Sequence, residues 1–480
     1  VERAVTRANE VLDAGGNPTS GPVETVAKYD RAVDLLLRYH PDVLGAAEEL
    51  ASDHATLPMS QAFLGYLSLM STDIPDLEAA RDAATTLGAL DLNEREAAHA
   101  AAVTAWVDGN WHEAASVLDR LLIEWPTDVL ALVMGHLLDF FTGDARNLRD
   151  RIGRSLPSFD AAEPRAAFVK GMQAFGLEEC GDYARAEAAG LEALDRHPDD
   201  VWALHAVVHT YEMRGLVDQG IAFMRGRQDD WGSGNLFTVH NWWHLALYLL
   251  EAGRYDDALA IYDAQVHNDQ SGGVSLEMLD ASALLWRVTL DEHDTGDRYP
   301  KLARAWEGQL FDEPWYVFND LHAVVALCGA GRIDDARAIV DHLEGYVASG
   351  DVEPGTNRAM TADVGLPASR AIVAFAEDRY DDVVDELFPI RTRFHHFGGS
   401  HAQRDLLQRT LTEAAIRSGQ LDLARALVDE RLSLRDTSVY GLLARARVRA
   451  RSGDELGASR ARERAVALRT QFAAAGARQP

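Results

Sequence analysis

A short phrase recurs along this chain: a glycine, a polar residue, an aromatic or aliphatic residue, two mostly polar residues, then alanine. It stands as Gly109-Asn-Trp-His-Glu-Ala, Gly181-Asp-Tyr-Ala-Arg-Ala, Gly253-Arg-Tyr-Asp-Asp-Ala and Gly331-Arg-Ile-Asp-Asp-Ala. Looser forms begin at Gly215, Gly419 and Gly453, and Asp378-Arg-Tyr-Asp-Asp lacks the glycine. The spacing is 34 residues from Gly181 to Gly215 and 38 from Gly215 to Gly253, with 72 (109 to 181) and 78 (253 to 331) where one unit is degenerate. A period of about 34 is that of the tetratricopeptide repeat. Trp242, Leu245, Ala246, Leu249, Ala258 and Tyr262 follow its consensus, and Pro126 and Pro198 each come 17 residues after their turn glycine. A glycine there supplies the left-handed conformation that stops the first helix of each pair, and the proline ends the second.

The expected fold is all-α: a tetratricopeptide-like alpha-alpha superhelix, a solenoid of about eleven helix pairs. One pair carries an apolar stripe too wide to bury alone, so stacked neighbours complete the core. Residues 1–50 are expected to be N-terminal helices capping the array, with Gly15 to Pro22 a loop after a short first helix. Residues 51–480 are expected to form one continuous solenoid domain, with the weakest consensus between 278 and 315 and a longer inter-repeat loop at Gly350 to Gly355.

The formal charge of −30, from 76 acidic and 46 basic side chains, repels nucleic-acid phosphates and anionic lipid. The Arg-rich stretch Arg445 to Arg464 is interrupted by Asp454, Glu455 and Glu463 and reads as a solvated helix face. The two cysteines, Cys180 and Cys328, form no CxxC pair, so neither a disulfide framework nor a thiolate zinc site is expected. The first residues lack an apolar signal segment and no run of 18 apolar residues occurs. A cytoplasmic location follows as the expectation.

Counting from the turn glycine places Leu204, Val207, Val208 and Tyr211 on the core face of a first helix. Trp202, His205, His209 and Glu212 then share the other face, which lines the concave surface in this architecture. The next first helix holds His240-Asn-Trp-Trp-His244, again two histidines at i, i+4, and a later one holds Asn319-Asp-Leu-His322. Measured from Gly253 and Gly331, Asn241 matches Asn319 and His244 matches His322. His136 with Asp139, Asp280 with Arg287, and His401 with Arg404 and Asp405 also sit on first helices. Two imidazoles at i, i+4 have the spacing by which one helix chelates zinc. The residue after His205 is Ala206, however, so the H-E-x-x-H motif is absent.

The same residues resemble the tetratricopeptide repeat protein 38 family. The similarity rests on Ala203-Leu-His-Ala-Val-Val-His-Thr-Tyr-Glu-Met, His240-Asn-Trp-Trp-His-Leu-Ala-Leu, Leu285-Trp-Arg and Phe318-Asn-Asp-Leu-His-Ala, and extends from about Leu57 to about Arg417. It implies a single-domain cytosolic solenoid and no particular reaction.

Two functions compete. The first is a small-molecule enzyme or binding protein with a polar pocket on the concave face. His205, His209, Glu212, His240, His244 and His322 are its candidate catalytic groups, because imidazole and carboxylate suit acid–base work near neutrality. Trp202, Asn241, Trp243, Asn319, Asp320, His136 and Asp139 are its candidate ligand contacts. A divalent metal, if bound, would be held by His205, His209, His240 and His244. No G-x-S-x-G, Walker A or G-x-G-x-x-G motif assigns a reaction. The second function is a scaffold binding a peptide or partner protein in the groove. The near absence of lysine argues against a carboxylate clamp. A small polar metabolite or peptide is thus the expected partner, with neither nucleic acid nor membrane. A third reading makes the histidines structural, tying helix to helix.

Overall fold

The computed structural model describes residues 10–53, 57–309, 314–349 and 355–476. Among these the chain is helical apart from turns and one small hairpin, and its helices run in antiparallel pairs of tetratricopeptide type. Trp111–Glu124 packs on Glu94–Val107, Tyr183–Arg196 on Pro164–Glu179, Ile333–Ala348 on Val317–Gly329, and Glu455–Gly476 on Val439–Arg451. The recurring glycines sit at the turns with positive φ, +78° at Gly181 and +76° at Gly253. Where the phrase lacks its glycine, Asp378 takes the same conformation at φ +59°, which a short polar side chain tolerates better than most. In the low-consensus stretch the pair Ser275–Leu290 and Arg298–Trp306 still forms, and Glu292 occupies the left-handed turn at φ +61°.

The contacts divide the chain into two compact units. One holds the described residues of 10–206, 233–237 and 355–356; the other holds those of 207–232, 238–349 and 357–476. The division falls inside the helix Val201–Met213, between Ala206 and Val207.

In the first unit the structure departs from the expected short N-terminal helix. Glu10–Leu12 and Pro18–Ser20 pair as an antiparallel hairpin with Val11 opposite Thr19. The turn chemistry accounts for this: the Asp13 carboxylate accepts from the backbone N–H of Gly15 and of Asn17, each at 2.9 Å. Buried Arg95 then pins the hairpin, reaching Asp13 at 2.9 Å and Asp128 at 2.6 Å. Helices Val23–Leu37 and Asp42–Asp53 follow. Residues 350–354, expected as a longer loop, lie outside the described residues.

In the second unit, Thr238–Glu251 packs on Ser275–Leu290, which packs in turn on Val317–Gly329 and on His401–Ser418. The last of these starts with a capping box between Ser400 and Gln403, which fixes where its first turn begins. That turn carries Asp405.

Candidate functional site

The face expected to line an open groove is enclosed instead. Trp202, His205 and His209 are 5%, 2% and 0% exposed. First helices here are buried on their core face and on their polar face alike, so polar groups that would need no explanation in solvent require partners.

The second unit gathers four of the expected residues around two helices. Tyr248, one turn after His244, donates its hydroxyl to the Val208 carbonyl at 2.6 Å. This bond sets the register of Thr238–Glu251 against the end of Val201–Met213. It brings the His209 ring edge-on to His244 with centroids 4.4 Å apart. His244 Nδ1 lies 3.2 Å from Glu212 Oε2, and His240 Nδ1 lies 2.7 Å from Asp280 Oδ2. The two Nε2 atoms of His240 and His244 face each other at 3.2 Å. Trp243 stacks on His240 at 5.2 Å, and Arg287 lies over Trp243 with its Cζ 5.6 Å from the ring centre. Asn241 is fully buried, and among the described residues neither amide atom has a hydrogen-bond partner.

Beside this cluster lies a partly open cavity of about 490 Å³, lined by Glu212, Arg287, Asp405, Arg409, Arg431 and Arg435 together with Glu251 and apolar side chains. Asp405 accepts from Arg431 at 2.5 and 3.2 Å, with Arg435 3.6 Å away. Arg409 pairs with Asp291 at 2.7 Å. Arg287 differs. It is 2% exposed and donates to the Ala283 carbonyl at 2.8 Å and the Ala402 carbonyl at 2.5 Å, and among the described residues it has no carboxylate at ion-pair distance.

The electrostatics follow from burial. Burial pushes the Glu212 carboxyl up to about 7, opposed chiefly by Arg435. Burial lowers Arg287 to about 10, with Asp405 opposing. Burial would raise Asp405 too, but Arg431 and Arg435 outweigh it and hold that carboxyl well below the usual range. His244 is pushed well below its ordinary value by burial first, then by His240 and Arg287.

His322 sits on Val317–Gly329 with Nδ1 2.7 Å from the Phe318 carbonyl, so that nitrogen carries the proton. Burial lowers it to about 4, and its ring contact is with Phe318. Asn319 is buried on the same helix, and burial raises Asp320 to about 7. None of these three makes a hydrogen bond to the His240–His244 pair among the described residues.

The other expected residues belong to the first unit. Trp202 stacks on Tyr39 at 5.5 Å and meets His136 edge-on, and both line a small cavity with Val133, Phe168 and Met172. His205 packs among Phe175, Trp202 and Phe237. Asp139 is held by Arg151 at 2.8 and 2.9 Å, a structural ion pair, and burial together with Arg151 lowers His136 to about 3. Sequence reasoning placed Arg287 and Asp405 on first helices but did not single out Arg409, Arg431 or Arg435. The i, i+4 spacing of Arg431 and Arg435 was the available signal.

No family model matches the chain. Among solved structures it is similar to a human IFIT1 dimer with m7Gppp-AAAA at 12% identity and a TM-score of 0.41, over 95% of this chain and 96% of that one. It is similar also to the Cut9 and Hcn1 hetero-tetramer of APC/C at 11% identity and 0.35, over 95% and 97%. Yeast Tom70 matches at 11% and 0.33, over 94% and 95%.

Proposed function

We propose that the second unit binds a small metabolite bearing a carboxylate or phosphate, in the cavity between the histidine cluster and the arginines of residues 409–435. The observation that carries this reading is Arg287: a buried guanidinium with two carbonyl partners and no counter-ion, bordering a partly open cavity. An uncompensated buried charge costs several kcal/mol, and an anionic ligand group is the chemistry that offsets it. Arg409, Arg431 and Arg435 make the lining positive overall. Glu212 and the unpartnered Asn241 amide supply polar contacts that choose among anions. Tryptophans enclosed rather than exposed, and a polar cavity rather than an apolar groove, favour this over a peptide-binding scaffold, which is the alternative. The phrases that resemble the tetratricopeptide repeat protein 38 family, Ala203 to Met213 and His240 to Leu247, border this cavity, and we assign the chain to that family on the same grounds.

Calorimetric titration with phosphate, citrate and a panel of phosphorylated and carboxylated metabolites tests the reading. At least one should bind wild type and fail to bind Arg287→Met. Binding by no anion, alongside saturable binding of uncharged or basic peptides, would overturn it in favour of the scaffold.

A further inference from the structure

We propose that His209, His240 and His244 form a three-nitrogen site for a divalent transition metal of the zinc class, with Asp280 and Glu212 holding two of the imidazoles from behind. The case begins with where the protons sit. A carboxylate only accepts hydrogen bonds, so at 2.7 Å from Asp280 the His240 Nδ1 carries its proton and donates it. The same holds for His244 Nδ1 against Glu212 at 3.2 Å. Each ring is then left with a lone pair on Nε2, and the structure points those two lone pairs at each other across 3.2 Å. Two neutral imidazole acceptors repel at that distance unless something positive lies between them.

A metal ion fits the gap. Zinc–nitrogen bonds of about 2.0–2.1 Å meeting at a tetrahedral angle separate two nitrogens by about 3.3 Å. A third donor is at hand: ring nitrogens of His209, His240 and His244 all lie within 4.8 Å of one another. A carboxylate behind a ligating imidazole fixes its tautomer and raises its basicity, which is how metal-binding histidines are commonly supported. His244 is fully buried and clamped through Tyr248, so its ring is pre-positioned. Three protein nitrogens leave one position open for water or a ligand oxygen, the arrangement of a Lewis-acid site. His205 lies one turn before His209 on the same helix; the site needs only the three nitrogens of the second unit. This inference stands on nitrogen geometry and holds whether or not the neighbouring cavity takes an anion.

The competing arrangement has a protonated Glu212 and a chain of hydrogen bonds from Glu212 through His244 and His240 to Asp280, with no metal. Elemental analysis of untagged full-length protein, purified without chelator, separates the two. The expected result is close to one equivalent of zinc, or another first-row metal, per chain. After stripping with chelator, titration with Co2+ should give the visible absorption of a low-coordinate nitrogen site. His240→Ala and His209→Ala, each checked for folding by circular dichroism, should lose both signals. Asp280→Asn should keep the site with affinity lowered about 10–100-fold. Arg287→Met should bind metal as wild type does, which separates failure of this site from failure of the anion cavity. Folded wild type that holds no metal and shows no Co2+ spectrum would overturn the proposal, as would undiminished Co2+ binding in His240→Ala. The wild-type titration depends on no variant.

Discussion

Replacing Arg287 by methionine should leave the ligand-free protein at least as stable as wild type while abolishing its response to anions. Burial lowers the Arg287 pKa from 12.5 to about 10. At about 1.36 kcal/mol for each pKa step of one, carrying that charge costs the fold about 3 kcal/mol. The sign is that of a base with a depressed folded pKa: the penalty is full at every pH below about 10 and fades only above it. Measurement near neutrality therefore sits on a plateau. Against the relief stand the bonds to the Ala283 and Ala402 carbonyls. Both residues lie in helices, whose own bonds already occupy those oxygens, so each loss is worth about 1 kcal/mol. Methionine fills most of the vacated volume without a polar atom. The net expectation is a gain of about 1 kcal/mol, read as a higher midpoint in urea denaturation. Saturating anion should stabilise wild type by about 2.7 kcal/mol at 100 times its Kd and leave the variant unmoved. A loss above about 2 kcal/mol in Arg287→Met without anion would refute the reasoning, because it would mean that Asp405 and Glu212 already compensate the charge.

Three further outcomes follow from packing. Asp128→Asn removes the buried carboxylate that Arg95 and His99 share at 2.6 and 2.9 Å, and should destabilise the first unit by about 3–5 kcal/mol at pH 7. Burial opposes ionisation of Asp128, but Arg95 and His99 hold its pKa well below 3.8. Its stabilisation is thus complete above that value and lost as the pH falls below it; a wild-type–variant gap in urea midpoints that did not narrow in acid would contradict this. Tyr248→Phe, which loses the hydroxyl bond to Val208, should lower stability by about 1 kcal/mol, and a neutral substitution would show that the bond does not set the helix register. Gly220→Ala puts a Cβ 2.2 Å from Tyr248 Cζ and should cost about 1–3 kcal/mol through overpacking; thermal unfolding at wild-type temperature would show that the Tyr248 ring moves freely.

Local chemistry was legible in the sequence. A turn glycine followed by an aromatic and an alanine sets where each pair bends, and the phrase was readable even at Asp378, which adopts the glycine conformation. Helical periodicity placed His205, His209 and Glu212 on one face, and His240 with His244 on another, because 3.6 residues per turn decide this without reference to the rest of the chain. The hairpin at Glu10–Ser20 was not legible: its strands are three residues each, and what holds them is Arg95, far along the chain.

The sequence by itself determined that this chain forms tetratricopeptide-like helix pairs and that imidazoles cluster on the polar faces of successive first helices. Only the tertiary structure decided that those faces are enclosed, that Asp280 stands behind His240 and Glu212 behind His244, and that Arg287 meets the Ala402 carbonyl 115 residues away with no carboxylate in reach. The division has a physical cause. Turns and helical faces are set by interactions over a few residues, whereas the partner of a buried charge is set by how helices remote in sequence stack. That stacking depends on the summed shape of the apolar faces, which no short stretch of sequence contains.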